Sequence, residues 1–365
     1  MDIGARVAEA RSERGLTQEQ LASALAMERS ALAKIETGNR RISAVELVAL
    51  ARELGHRVEW FVEEPPPALT SYRNARRQAP REVIDTELTA FARHTEFVIA
   101  QGSTALVAGQ PDPVPAPKTM EEAEALAHKV RLLLRLEKAQ PLHDFAALAA
   151  RLGLLILSTD LGEGADAGTV LLRRGGAAVV NGYWKVGRRR LSAAHELGHY
   201  VIADEFSLDW RIAAESHGLE ARLDRFARAL LMPAEDAARR WTQWLARTDE
   251  TWRDATVRAA SHYGVDMATL ARRLLELGLV RNGQAHDIRQ VRTNDADIIE
   301  KNLVVRPDLK PVSLPRVYEQ AVLKLYRAES ISAERALELL WGTIERDSLP
   351  ELAPVPESEI WDAIS

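Results

Sequence analysis

The run Ala193-Ala194-His195-Glu196-Leu197-Gly198-His199-Tyr200 holds two histidines four residues apart, with a glutamate directly after the first. On a helix, positions four apart share one face, so His195 and His199 can grip a single ion while Glu196 lies beside it. Neutral imidazole suits zinc, and a neighbouring carboxylate can take a proton from zinc-bound water. With 9 histidines and 53 acidic residues in a chain of 365, chance supplies roughly 0.03 such patterns. Two histidines buried merely for packing is therefore the weaker explanation. The chain has no cysteine, which removes disulfides, thiolate catalysis and thiolate metal sites. A metal site here must be built from His, Asp and Glu.

The third ligand is less direct. A histidine six residues past His199 would fall at Glu205, and Ile202 stands where that spacing has glycine, so the metzincin pattern fails. Downstream, Glu220 and Asp224 again lie one helical turn apart. Glu220 can complete the zinc site, and Asp224 can accept a hydrogen bond from a ligand imidazole and fix its tautomer. Glu205 and His217 are the fallback ligands.

The Glu220-x-x-x-Asp224 pair resembles the third-ligand helix of gluzincin metallopeptidases. The stretch VVNGYWKVGRRRLSAAHELGHYVI followed by EARLDRFARALLMP is similar to the ImmA/IrrE zinc metallopeptidase-like family. The resemblance covers about 119–280, including VRAASHYGVDMATLARRLLELGLV, and departs from the family's usual Ala-Asn at Leu223-Asp224. It implies a zinc metalloendopeptidase in which Glu196 is general base and then proton donor. Asn181, after Val179-Val180, occupies that family's strand-end asparagine position, where a strand beside the cleft could hold an extended peptide by main-chain hydrogen bonds. A turn residue before Gly182 is the other reading. Arg188, Arg189 and Arg190 form either a solvated face or a source of oxyanion stabilisation, with Tyr183 and Tyr200 as further candidates for the second role.

Helices and a small sheet must position these groups. Thr119 opens a helix through Leu136 with the capping box Thr119-Met120-Glu121-Glu122, and Phe145 to Leu152 reads as another ending at Gly153. Leu154–Leu157 and Ala177–Val180 read as short buried strands bounded by glycines. From Arg190 onward the pattern is helical until the prolines around 350–356. Helices open at Val312-Ser313-Leu314-Pro315 and Ile331-Ser332-Ala333-Glu334, and Trp341 and Trp361 read as packing residues. The expected fold class is mainly α with a small sheet (α+β).

Residues 5–61 read as about five short helices. Thr17 with Gln20 and Ser43 with Glu46 form capping boxes, and Gly38 and Gly55 close helices. Two short helices joined by a turn can set the second in a major groove. The order GLTQEQLASALAMERSALAKIETGNRRISAVELVALARELG resembles the Xre/Cro family of DNA-binding domains over this whole head. Carried onto this chain, the resemblance implies base or phosphate contacts from Arg29, Ser30 and Lys34 and a backbone clamp from Gln18. Arg40 and Arg41 could also grip phosphate.

The expected organisation is a helix-turn-helix head at 1–63, a linker with a helical segment and a Pro-rich stretch at 64–118, a metallopeptidase core at 119–236, and a helical rear at 237–365. Net charge is −5, so no overall basic field draws the chain to nucleic acid, and any DNA contact must come from a local patch. The start lacks a signal-peptide core and no run approaches ~18 apolar residues, so the expected location is cytoplasmic with no membrane partner. Together the two resemblances imply a DNA-binding regulator carrying its own zinc-dependent endopeptidase. The expected partners are palindromic operator DNA, a second copy of the chain, and a repressor or antitoxin-like protein as substrate, in stress, prophage or mobile-element control. The alternative is a non-proteolytic repressor or antitoxin whose zinc domain senses a ligand or partner.

Overall fold

A computed structural model describes residues 3–55, 58–62, 83–137, 139–164, 166–203, 206–209, 218–249, 251–303 and 307–352. These divide into two compact units, 3–62 and 83–352. Glu205, His217 and Trp361 lie outside the described residues.

The first unit is five helices: α1 (Ile3–Glu13), α2 (Gln18–Ala24), α3 (Arg29–Glu36), α4 (Ala44–Leu54) and α5 (Val58–Val62). Both capping boxes close as the sequence indicates: Thr17 and Gln20 satisfy each other's backbone N–H at the start of α2, and Ser43 and Glu46 do so at α4. Gly55 ends α4 in the left-handed conformation, with φ 67°. Val7, Leu21, Leu32, Ile35, Leu50 and Phe61 form a core with almost no exposure. Gly4 lets α1 cross the end of α3 in direct backbone contact, because a Cβ there would overlap the Ile35 carbonyl. Arg11 locks the same crossing, its Nε 2.6 Å and Nη2 3.1 Å from the two Glu36 oxygens.

The second unit is organised by a four-stranded sheet in the order β1-β3-β2-β4, with β1 (Leu154–Thr159), β2 (Ala167–Leu171), β3 (Gly176–Asn181) and β4 (Phe206–Asp209). β1 and β3 run parallel, and β2 is antiparallel to both its neighbours. The two sequence-expected strands are the pair whose apolar runs are continuous, as burial on both faces requires. β2, interrupted by Gly168, and the short β4 give no such signal. Side chains alternate across the pleat. Leu154, Ile156, Ala178 and Val180 face one core, shared with α7 (Met120–Leu133), α9 (Val186–Val201) and α10 (Leu219–Leu231). Leu155, Leu157, Ala177 and Val179 face a second core on the other side.

That second core takes in part of the segment read as a linker. It is built by Ile84, Leu88, Phe91 and Val98 of α6 (Val83–Ala100), together with Tyr318, Val322 and Leu339 from the rear of the chain. The segment read as a linker therefore supplies one wall of the body. The Pro-rich stretch is fastened too: Val114 N donates to Val201 O at 2.9 Å, and the Gln110 side chain accepts from Gly175 N at 2.7 Å. Prolines stiffen that path without freeing it from the body. Trp341 stacks edge-on against Phe91, with ring centroids 6.1 Å apart.

The rear is integral as well. Ser158 of β1 exchanges backbone hydrogen bonds with Ser313, and its hydroxyl donates to Leu309 O at 2.7 Å. This covers the outer edge of β1. Beyond α10, α12 (Trp252–Tyr263) and α13 (Met267–Glu276) pack onto the first core, with Thr269, Leu270, Ala271 and Leu274 of α13 buried.

Removing the Phe91 ring should lower the stability of the second unit by about 3–5 kcal/mol, as for other buried aromatics. Chemical unfolding of Phe91→Ala followed by fluorescence checks this. A loss under about 0.5 kcal/mol, the usual range for surface positions, would mean that α6 is a linker after all.

Candidate metal centre

α9 presents the chemistry-bearing face. His195 and His199 are each 2 % exposed and Glu196 is fully buried. α10 crosses α9 at Gly198, where a Cβ would lie 3.0 Å from Phe226 Cδ1 and 3.1 Å from Leu223 Cδ2. A glycine inside a helix costs about 1 kcal/mol, and the close crossing is what it provides here. That crossing brings Glu220, in the first turn of α10, over the two histidines.

His195 Nε2 is 3.0 Å from Glu220 Oε2 and 3.1 Å from His199 Nε2, while His199 Nε2 is 3.5 Å from Glu220 Oε2. Behind them, His195 Nδ1 lies 3.0 Å from Asp224 Oδ1. A carboxylate can only accept, so Nδ1–H donates to Asp224 and Nε2 of the neutral ring carries a lone pair. Two imidazole nitrogens and a carboxylate oxygen then face one another at distances close to the about 3.3 Å edge of a zinc tetrahedron with bonds of about 2.0–2.1 Å. Such a donor set fits a borderline-soft divalent cation, and these three residues are the group of possible ligands that the described residues bring together. Without a cation, protons on the imidazole Nε2 atoms take its place, and the hydrogen bonds they make hold the Glu220 carboxyl well below the usual carboxylate range.

The remaining sequence candidates separate clearly. Tyr200 is buried, burial pushes its phenol up, and its hydroxyl donates to Leu152 O at 2.8 Å. It locks α9 to the start of β1 and leaves no hydrogen for an oxyanion. Arg190 does not lie on a solvated face: it is fully buried, ion-paired with Asp308, and donates to Leu142 O at 2.8 Å. Asp308 also accepts from Phe145 N, so one carboxylate ties the rear of the chain to α9 and to the start of α8 (Phe145–Arg151). Arg189 donates to the carbonyls of Gly182, Trp184 and Asp308. Arg188 chelates Asp166 at 2.7 and 3.0 Å and stacks 3.6 Å over Trp184. Tyr183 is exposed.

Asn181 ends β3, which is paired on both sides, so it offers no edge to an added peptide strand. Its buried amide instead fastens the loop: Oδ1 accepts from Leu161 N and Tyr183 N, and Nδ2 donates to Gly162 O. The Arg190–Asp308 pair spans 118 residues and leaves no local trace in the sequence. Gly198 was visible as an isolated glycine in a helical pattern, which points to a packing reason.

In the first unit, Arg29, Ser30, Lys34 and Arg41 are exposed, with Arg29, Ser30 and Lys34 on α3. Gln18 donates to Glu36 Oε2 at 2.9 Å, and Arg40 is paired with Glu46 at 2.6 Å. Residues 1–63 carry nine Lys and Arg against ten Asp and Glu, so the exposed cations of α3 matter more than the net charge. Among the described residues no helix is long and apolar enough to cross a membrane.

Two family models match this chain, one described as a helix-turn-helix domain over residues 2–56 and one as an IrrE N-terminal-like domain, a peptidase family, over residues 149–275. No curated protein matches. Among solved structures, the crystal structure of Bacillus thuringiensis PlcR in complex with the peptide PapR7 and DNA is 14 % identical, over 93 % of this chain and 92 % of that one. Its TM-score of 0.18 is too low to carry any argument. The chain thus joins an N-terminal helix-turn-helix domain to an IrrE N-terminal-like domain of a peptidase family.

Proposed function

We propose that this chain is a DNA-binding regulator whose second unit is a zinc-dependent endopeptidase acting on a repressor or antitoxin-like protein. The observation that carries the reading is the convergence of His195, His199 and Glu220 on one point, with Asp224 behind His195. Three protein ligands leave a fourth position open, as catalytic rather than structural zinc sites do. Zinc held there would supply a Lewis acid for a peptide carbonyl and a water acidified toward neutral pH. Glu196, buried and next in sequence to His195, would take a proton from the attacking water and deliver it to the leaving amine. Asp224 keeps the His195 tautomer fixed while this happens. With Asn181 committed to its loop, an extended substrate strand would add to β4, the sheet edge opposite β1.

In the first unit, Arg29 and Ser30 at the start of α3 and Lys34 one turn on would face the major groove, with Arg41 on phosphate. Gln18 and Arg40 would reach DNA from the rim, each already steadied by a glutamate. A dimer on a palindromic operator is the arrangement such a head favours.

Two measurements separate these roles. Arg29→Ala should weaken operator binding by about 1–3 kcal/mol if it reads a base, and should lower the salt slope by about 1 if it grips phosphate. Unchanged affinity and slope in a gel-shift titration would remove Arg29 from the interface. Glu196→Gln should keep the metal and lose about 10²–10⁴-fold in cleavage of a repressor encoded beside it. Equal regulatory behaviour of the wild type and Glu196→Gln, with both holding zinc, would replace the peptidase by a zinc-dependent sensor.

A further inference from the structure

Glu220, Asp224 and Arg228 stand at successive four-residue steps along α10 and so line one face of it. Asp224 meets His195 with Oδ1, and its other oxygen, Oδ2, lies 3.7 Å from Arg228 Nη1. Arg228 is in turn held by Glu276 of α13: its Nε is 3.1 and 3.2 Å from the two carboxylate oxygens, and Nη2 is 2.9 Å from Oε1. Glu276 is fixed from two further sides, by Arg225 at 3.2 Å and Arg272 at 3.0 Å. A chain of charged contacts therefore runs from α13 through Arg228 and Asp224 to His195.

The residue type at 224 makes this chain of contacts consequential. An asparagine there could accept the same bond from His195 Nδ1–H through its one carbonyl oxygen. Aspartate adds a second charged oxygen, and its side chain is 26 % exposed, so it can turn toward water and drop the imidazole. Arg228 engages that second oxygen. Arg228 hydrogen-bonds Glu276 at 2.9 Å and meets Asp224 only at ion-pair range, 3.7 Å, so what it contributes to Asp224 is orientation. Its planar fork holds Glu276 by hydrogen bonds while one arm stays within ion-pair distance of Asp224.

We propose that Arg228 and Glu276 are positioning residues of the metal centre, holding Asp224 in the rotamer that fixes His195 for metal binding. The inference rests on the zinc reading of the site and concerns affinity, not the chemistry that follows.

The test is a thermodynamic cycle on the full-length chain. Zinc affinity is measured by competition with a chromophoric chelator at neutral pH, alongside the melting temperature of the metal-free protein. Arg228→Met and Glu276→Gln should each weaken zinc binding by about tenfold, the low end of what orienting partners of metal ligands supply. In an Asp224→Asn background, the Arg228→Met step should change affinity by less than about twofold, since the oxygen it steadies is gone. A role in general stability would instead lower the metal-free melting temperature and weaken zinc binding equally in both backgrounds. That outcome, or unchanged affinity in Arg228→Met, overturns the inference while leaving the zinc reading intact. A wild type that holds no zinc overturns both.

Discussion

Three acceptor atoms held 3.0–3.5 Å apart repel one another unless a cation or a shared proton sits among them, and the second unit is arranged to hold them there. The distance is set by how closely α10 can cross α9, and that depends on the bare backbone of Gly198 against Phe226 and Leu223. Helical spacing then does the rest. Four-residue steps put His195 and His199 on one face of α9, and Glu220 and Asp224 on the facing side of α10. Asp224 decides which nitrogen of His195 carries the proton.

Rigid placement of α9 comes from both ends and from behind. At its start, buried Arg190 and Asp308 link the helix to the rear of the chain and to α8. Toward its end, the Tyr200 hydroxyl reaches the Leu152 carbonyl beside β1. Behind it the sheet is buried on both faces, and the core on its far side is incomplete without α6 and the helices after residue 307. An unpaired Asp308 or Arg190 would be a buried charge without a counterion, which is costly. The site and the full length of 83–352 are in that sense one structure, although the peptidase-family match spans only 149–275.

What was legible in the sequence follows from range. His195, Glu196 and His199 could be read because their relation is four residues of helix, and the capping boxes at Thr17 and Ser43 and the Thr119 cap because a cap is local; at Thr119 the reciprocal half of the expected box is absent, since Glu122 accepts from Lys118 N instead. Glu220 could be proposed from its one-turn spacing to Asp224, but its approach to the histidines is tertiary. The helical segment expected within 64–118 is α6, whose buried Ile84, Leu88, Phe91 and Val98 recur at helical spacing. The flanking prolines made it look like a spacer, because composition reports stiffness and cannot report what the helix packs against. The same limit applies to Asn181. A strand-end asparagine reads alike in sequence whether its strand is central or at an edge, and only the order β1-β3-β2-β4 shows it to be central. Arg190 looked solvated as one of three consecutive arginines, yet helix geometry sends the three in different directions.

The account stands on a cation bound by two imidazoles and one carboxylate. X-ray absorption of the zinc-loaded full-length protein reads that ligand set directly. Two imidazole nitrogens with one or two oxygens at about 2.0–2.1 Å, and loss of one imidazole's scattering in His195→Ala, is the expected spectrum. Three or more imidazoles, or a zinc environment that His195→Ala leaves unchanged, would place the metal elsewhere and contradict the account.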